Sequence, residues 1–359
     1  MNKELRLGRA DRSDQVWSPR YAVALSFGPS STALFHILHE TMVGRRNRNS
    51  KGVYGLLAVH VDTDPGTVSN NKERVLQQWR ERYPDVQFER VSLASGRPDV
   101  LRTLLPDASA SSPDRPEQEW GLGDFFASLP SATSRADMSR ILVQQQLMSW
   151  AREKNCTALL LGHSVTALSE LAISEVAKGR GYGVPWLIRD GPIPVHQSLH
   201  SQDTSAAELQ FGEQQLGENK DADDVLPVYR LFREVFRKEA STYVTLVAPT
   251  LEGLLDEPTD KNAPIVSLRD VSVDHVVARY FDETEKSYQS VVSNVVRTVD
   301  KLQRPRQDTL CAVCDLPVDG QGEARWKGEI GVDESTAAPQ LDGINLDDVC
   351  YGCKRSLYG

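Results

Sequence analysis

No apolar run in this 359-residue chain approaches the roughly 20 residues a membrane-spanning helix needs. The strongest apolar stretch, around Leu159–Leu161, is far shorter. The N-terminal segment is polar and charged with no apolar core, so no secretory leader is expected. An excess of basic charge is missing too. Lys and Arg number 41 against 50 Asp and Glu, a net charge of −9. That excludes a protein that grips nucleic acid through its overall field, and leaves local basic patches open. Cysteine is scarce: Cys156 stands alone, and the other four of the five form two CxxC pairs near the C-terminal end. Without an export signal, such pairs point to metal binding rather than disulfides. Enough remains for a real core, with 40% hydrophobic residues. At about 150 residues per domain, the length suits two domains or one large domain with insertions.

The hydrophobic pattern alternates short strands with helices. Residues 1–20 are polar and basic and read as a flexible arm. Tyr21–Leu25 is a short buried strand running into Ser26-Phe27-Gly28-Pro29-Ser30-Ser31. A helix follows on Leu34, Phe35, Ile37, Leu38 and Met42, with Gly44 as its stop and Arg45–Lys51 as a basic loop. Strands are expected at Val53–Val61, Val86–Leu93 and Thr157–Gly162. Helices are expected around Val68–Trp79, from Met138 to Asn155, and over Ala167–Lys178. Residues 95–123 are rich in Ser, Pro, Asp and Gly and read as a flexible insertion. Residues 191–224 are polar and acidic and read as a disordered one. A helix led in by Pro227 through Leu231, Val235 and Tyr243 continues the α/β domain. Val271–Leu302 is helical, with its apolar stripe on Tyr288, Val291, Val292, Val295, Val299 and Leu302. Residues 306–359 hold the cysteine module. The alternation argues for a parallel sheet with helices on both faces, whose chemistry lies past the C-terminal strand ends. The turns after Leu25, Val61 and Leu161 are therefore the places to look.

The turn Ser26–Ser31 has two readings. It is an anion site, with backbone N–H groups aimed from a helix N-terminus, or a plain turn N-capped by Ser30 or Ser31. His163, in Gly162-His163-Ser164 after the fourth strand, reads as structural rather than catalytic, and Cys156 as an inert core thiol. Cys311, Cys314, Cys350 and Cys353 supply the four thiolates that tetrahedral Zn²⁺ requires. With all four positions filled by cysteine, such a site is closed and structural.

Ser26, Gly28 and Ser31 match the SGGxDS signature of the PP-loop ATP pyrophosphatases, and the turn resembles a degraded form of it. Phe27 replaces the first Gly, setting a bulky side chain where backbone approaches phosphate. Ser30 replaces the Asp, removing a carboxylate that would help hold Mg²⁺. Gly162-His163-Ser164 resembles the family's GHN turn without its paired acids, since no carboxylate follows before Glu170. Lys178-Gly179-Arg180-Gly181 resembles its Gly-rich turn. Sulfur-transferring relatives carry a CxxC where this chain reads Thr133–Arg140, without cysteine.

The order of these motifs, the segment from Pro227 to Tyr243 and the four cysteines together resemble the cytoplasmic tRNA 2-thiolation protein 2 family of eukaryotes. The fold implied is a PP-loop-like (HUP) parallel sheet, residues 21–190 continuing through 225–305, plus the zinc module. The function implied is a non-catalytic subunit for 2-thiolation of the wobble uridine in cytoplasmic tRNAs for Lys, Glu and Gln. Its implied partners are tRNA, a catalytic PP-loop homologue, and a thiocarboxylated ubiquitin-related modifier that donates sulfur to the complex. No catalytic residue, no Fe–S cluster and no secure ATP site are expected in this chain, and no membrane association. The degenerate nucleotide turn is Ser26, Gly28, Ser30 and Ser31. Among the basic groups, Arg140, Lys178 and Arg180 are the expected tRNA phosphate contacts. A self-sufficient ATP-dependent tRNA sulfurtransferase and a zinc adaptor without RNA stay open as alternatives.

Overall fold

Ala22 and Val23 are both fully buried although adjacent strand residues face opposite ways, so the strand they belong to is covered on both sides. That strand is β1 (Arg20–Ala24), the centre of a six-stranded sheet. The computed structural model describes residues 19–48, 53–63, 70–93, 121–193, 226–255, 271–305, 309–319 and 348–359. The other strands are β2 (Gly55–Asp62), β3 (Gln87–Ser92), β4 (Ala158–Leu161), β5 (Gly191–Pro192) and β6 (Pro227–Arg230). Their order is β3-β2-β1-β4-β6-β5, parallel except for β5, which runs antiparallel to β6. The chain builds outward from β1 to β3, then returns to the other side of β1 with β4. Such a reversal opens a crevice beyond the C-terminal ends of β1 and β4. It places the Ser26–Ser31 turn beside Gly162-His163-Ser164.

The helices are α1 (Pro29–Asn47), α2 (Asn70–Arg82), α3 (Leu122–Ser128), α4 (Ala132–Glu153), α5 (Val165–Ala177), α6 (Val184–Ile188), α7 (Arg237–Leu246), α8 (Val273–Ser287), α9 (Gln289–Lys301) and α10 (Tyr351–Tyr358). One apolar cluster packs Leu34, Phe35, Trp79 and Val244 of α1, α2 and α7 on the sheet. On the opposite face Met138, Ile141 and Met148 of α4 pack on Leu57, Val59 and Leu159. A third cluster joins α5 and α6 to α8 and α9 through Leu168, Ile188, Phe281 and Val296. The C-terminal module is no separate body. Cys311, Val313, Cys350, Cys353 and Leu357 belong to the same cluster as Met138 and Val59.

Several expectations are corrected. The segment Pro227–Arg230 is a strand beside β4, and the helix expected there begins only at Arg237. Val228 and Arg230 are buried, and four residues are too few to display the strand period against the helical spacing downstream. Helix α1 runs through Gly44 to Asn47, which absorbs the start of the expected basic loop; one glycine inside a helix is tolerated at about 1 kcal/mol. The buried stripe of α9 is Val292, Val296 and Val299, whereas Tyr288, Val291 and Leu302 are exposed. Arg20, expected in the arm, opens β1, and Leu122 opens α3 within the expected 95–123 insertion. Gly191 and Pro192 pair as β5 at the head of the expected 191–224 insertion. Residues 1–18, 94–120 and 194–225 lie outside the described residues, and with them most of the expected arm and of both expected insertions.

Gly162 fixes how closely β4 approaches α1. A Cβ there would lie 2.7 Å from Ser31 Cα and 3.0 Å from its N. Backbone cannot swing aside as a flexible side chain can. Gly162→Ala is therefore expected to cost about 1–3 kcal/mol. Urea unfolding measures it, and a loss below about 0.5 kcal/mol, the usual range for a surface change, would contradict this close approach.

Candidate metal centre and nucleotide turn

The four C-terminal cysteines are brought together as expected. Their sulfurs all lie within 4.8 Å of one another and all four residues are buried. Cys314 Sγ and Cys350 Sγ are 3.8 Å apart. Sulfurs at about 2.3 Å from one tetrahedral ion would be separated by about 3.8 Å. Local structure builds the cage from two pieces. Cys311–Cys314 forms a tight turn closed by Asp315 N–H to Cys311 O (3.0 Å) and Cys311 N–H to Leu316 O (2.8 Å). Asp315 takes a left-handed conformation (φ 60°) to complete it. Cys350 and Cys353 stand at the N-terminal cap and first turn of α10, where the helix dipole favours a thiolate. The N–H groups of Val313 and Cys350 point at Cys311 Sγ, at 3.4 and 3.3 Å.

The donor set fits a cation. Hydrogen bonding to Cys311, with crowding by the other sulfurs, pushes the Cys314 and Cys353 thiols well above their usual range. Four buried sulfurs this close cannot all be anionic without a cation among them. The four described cysteines can bind a metal ion, and together they leave no protein position open at a tetrahedral site.

The turn Ser26–Ser31 is closed on itself. Gly28 is the N-cap of α1 and Pro29 its first residue, so neither Ser30 nor Ser31 caps the helix. Proline removes one of the N–H groups an anion would use. Ser31 Oγ donates to Gly28 O (3.1 Å), accepts from Ser26 N (3.3 Å) and lies 3.1 Å from Ser26 Oγ. Gly28 N–H in turn donates to Ser26 Oγ at 3.4 Å. Phe27 corrects one expectation. Its backbone is left-handed (φ 59°), a conformation suited to glycine. Its ring, however, is fully buried, 4.4 Å from the His60 ring and 6.3 Å from Trp79, so it lies in the core rather than in the path of a phosphate. His163 is partly buried with Nδ1 sealed and unpartnered. Desolvation first, then the Arg230 and Arg140 charges, push its pKa down to about 4, so the ring is neutral at physiological pH.

Arg140, Lys178 and Arg180 do come together, but not as a phosphate track. Lys178 and Arg180 are buried, and Arg140 is only partly exposed. They close on two carboxylates the sequence reading did not single out, Asp137 of α4 and Glu175 of α5. Lys178 Nζ lies 2.9 Å from Asp137 and from Glu175 and donates to Asp274 at 2.8 Å. Arg180 Nε donates to Glu175 Oε2 at 2.7 Å, and its Nη2 pairs with Asp137. Arg140 lies 3.0 Å from Glu175 and 3.5 Å from Asp137. Ser356 of α10 adds its hydroxyl to Asp137 Oδ2 at 2.7 Å. Pairing inside the fold also takes up Arg233, with Asp300, and Arg237, with Glu170 and Asp282. Arg230, whose Nη1 donates to Arg189 O, is buried. The available signal was Glu175 itself, one of two acids in the helix Val165–Ala177 and five residues before Arg180.

A family model for cytoplasmic tRNA 2-thiolation protein 2 matches residues 272–355, from the start of α8 through both cysteine pairs. The curated protein of that name from Phaeosphaeria nodorum is 32% identical over 93% of this chain and 80% of its own length. The one from Ajellomyces capsulatus is 30% identical over 92% of this chain and 86% of its own. This chain belongs to the cytoplasmic tRNA 2-thiolation protein 2 family. The Pyrenophora tritici-repentis member is 29% identical over 94% of the chain. The expected cytoplasmic location agrees with the names of these relatives. A solved U34-tRNA thiolase, NcsA from Methanococcus maripaludis with its 4Fe–4S cluster, is 13% identical with a TM-score of 0.45, covering 89% of this chain and 84% of that one. Among the described residues of this family member, no helix is long and apolar enough to cross a membrane.

The buried charges set a pH limit. Burial alone would raise both carboxyls, but the cations outweigh it. Arg180, Lys178 and Arg140 hold Asp137 well below the usual range, and Arg140, Arg180 and Lys178 hold Glu175 at about 2 against 4.5. A group with a depressed folded pKa adds stability above its unfolded pKa and loses it as pH falls through the folded value. Stability should therefore drop between pH 4.5 and about 2. Glu175→Gln should show a shallower slope in that window. Denaturant unfolding at stepped pH tests this, and parallel slopes would refute it.

Proposed function

We propose that this chain is the non-catalytic subunit of a two-protein complex that 2-thiolates the wobble uridine of cytoplasmic tRNAs for Lys, Glu and Gln. A catalytically complete PP-loop homologue would activate the uridine with Mg–ATP. Sulfur would come from a ubiquitin-related modifier bearing a C-terminal thiocarboxylate. The observation that carries this reading is the state of the turn at the β1/β4 crevice. A fold suited to nucleotide binding is kept, while the turn is knotted by Ser26 and Ser31, begins its helix on Pro29 and has Ser30 where a carboxylate would help hold Mg²⁺. Family membership supplies the reaction class. No cysteine stands at the start of α4, where a sulfur carrier would be expected.

The C-terminal cysteines are read as a structural zinc site. Support comes from the tetrathiolate donor set, the 3.8 Å sulfur separation and the lack of an open position for substrate. A zinc ion there supplies charge compensation and folding energy rather than Lewis-acid chemistry. Metal analysis should return one zinc per chain, and Cys311→Ser should release it and destabilise α10. Iron with a visible chromophore would replace this reading with a cluster.

Two measurements test the subunit assignment together. The isolated chain should release no pyrophosphate from ATP at steady state. Deleting its gene should abolish wobble 2-thiouridine, and overproduction of the catalytic homologue should not restore it. Steady turnover by the isolated chain would favour the self-sufficient sulfurtransferase, and full rescue by the homologue would end the subunit reading.

A further inference from the structure

The turn Lys178–Gly181 was expected to offer Lys178 and Arg180 to tRNA phosphates. Instead it is pressed against the cysteine module, and both sides are cut away to allow it. Gly179 is left-handed (φ 83°), and a Cβ there would sit 2.5 Å from the Tyr351 ring. Across the contact, a Cβ on Gly352 would lie 2.5 Å from Arg180 Cγ and 2.8 Å from Lys178 O. A Cβ on Gly183 would reach Leu316 Cδ1 at 3.0 Å. An ordinary buried ion pair needs none of these clearances. They bring the Arg180 guanidinium to the sulfurs: Nη1 lies 3.8 Å from Cys353 Sγ. The other edges of the same planar group are held by Glu175 and Asp137.

We infer that Arg180 is the positioning residue of the metal centre, its guanidinium tying the Cys353 sulfur to the buried carboxylates of α4 and α5 so that metal occupancy and the order of those helices are coupled. This inference rests on the metal reading of the four cysteines and deepens it. Four thiolates around one divalent ion carry a net double negative charge. Cys311 and Cys353 are fully buried, where unbalanced charge is costly. A guanidinium can offer separate donors to three acceptors in one plane, which an ammonium on a flexible stem cannot do with the same geometry. Arg180 therefore both donates to a ligand sulfur and fixes the position of α10. Ser356, one turn after Cys353 on α10, grips Asp137 from the same side and closes the loop of contacts: Cys353, Arg180, Asp137, Ser356. Partners of this kind outside the ligand set change metal affinity by about 10–100-fold when altered.

The test uses the chain as purified, after its metal content is measured. If the parent chain holds no metal, the metal reading fails and this inference falls with it. Given bound metal, Arg180→Lys should surrender it to a competing chelator at about 10-fold lower concentration or less. In cobalt-substituted protein, Arg180→Lys should shift the thiolate-to-cobalt charge-transfer band, because a donor to Cys353 sulfur is lost; a purely packing role would not move that band. Should the variant fold poorly, the parent chain alone decides. Stripping its metal should raise amide hydrogen exchange at 137–142 and 175–183, far from the ligands in sequence. Parent-like chelator resistance with an unmoved cobalt band, or unchanged exchange in those segments on stripping, would show Arg180 to be a core ion-pair residue only.

Discussion

Two carboxylates with no access to water, Asp137 and Glu175, govern how the pieces of this molecule meet. A buried charge without partners is far too costly to persist, so each element near them must deliver a cation or a donor. Helix α4 delivers Arg140, the turn after α5 delivers Lys178 and Arg180, and α10 delivers the Ser356 hydroxyl. Asp274, at the start of α8, answers Lys178 from a fourth direction. Apolar packing alone would let these elements slide along one another. The fixed directions of the hydrogen bonds set their register. Such clusters are not necessarily net stabilising against an apolar replacement, but removing one member leaves the rest exposed to the full desolvation penalty. The consequence is mutual dependence between the sheet's helices and the C-terminal cysteine module.

The turn at the C-terminal ends of β1 and β4 follows a different logic. The backbone devices of a phosphate turn survive: a left-handed residue at 27, an N-cap glycine, and a glycine at 162 that admits the α1 backbone. What fills them has turned inward. Phe27 uses the left-handed position to reach the core beside His60 and Trp79. Ser26 and Ser31 satisfy each other and the turn's own backbone groups. The turn joins β1, β4 and α1 through its shape and its internal hydrogen bonds, with no carboxylate among residues 26–31.

Much of this was legible in the sequence, and the boundary is physical. Strands buried on both faces, such as Leu56–Val61 and Ala158–Leu161, announce themselves by composition because both faces must be apolar. The cysteine pairs do so because thiolate ligation tolerates few substitutes. Strand β6 was hidden because four residues cannot establish a period, and its Arg230 looks like a surface residue although the fold buries it. The buried ion cluster was hidden more thoroughly. A charged residue read in isolation is most often solvated, and nothing local says that Arg180 will meet Asp137, 43 positions earlier, or that Asp137 will meet Ser356, 219 positions later. The segment Thr133–Arg140 was informative for the cysteines it lacks, while the residue that matters structurally, Asp137, lay within it.

These observations join into one account of why the cysteine module sits where it does. A small tetrathiolate module appended by a linker would need only its own ligands. Here its ligands pack among Met138, Leu147 and Val59, its turn is held by Gln145 donating to Val313 O and Asp315 Oδ2, both at 2.8 Å, and its helix carries both a ligand and a hydroxyl into the charge cluster. The cysteine module therefore completes the sheet's α4 face, which would otherwise expose an apolar surface and leave Asp137 without the Ser356 hydroxyl. Anchored in this way, the four cysteines tie α10 to α4 and to the sheet through packing and hydrogen bonds made by this chain's own residues.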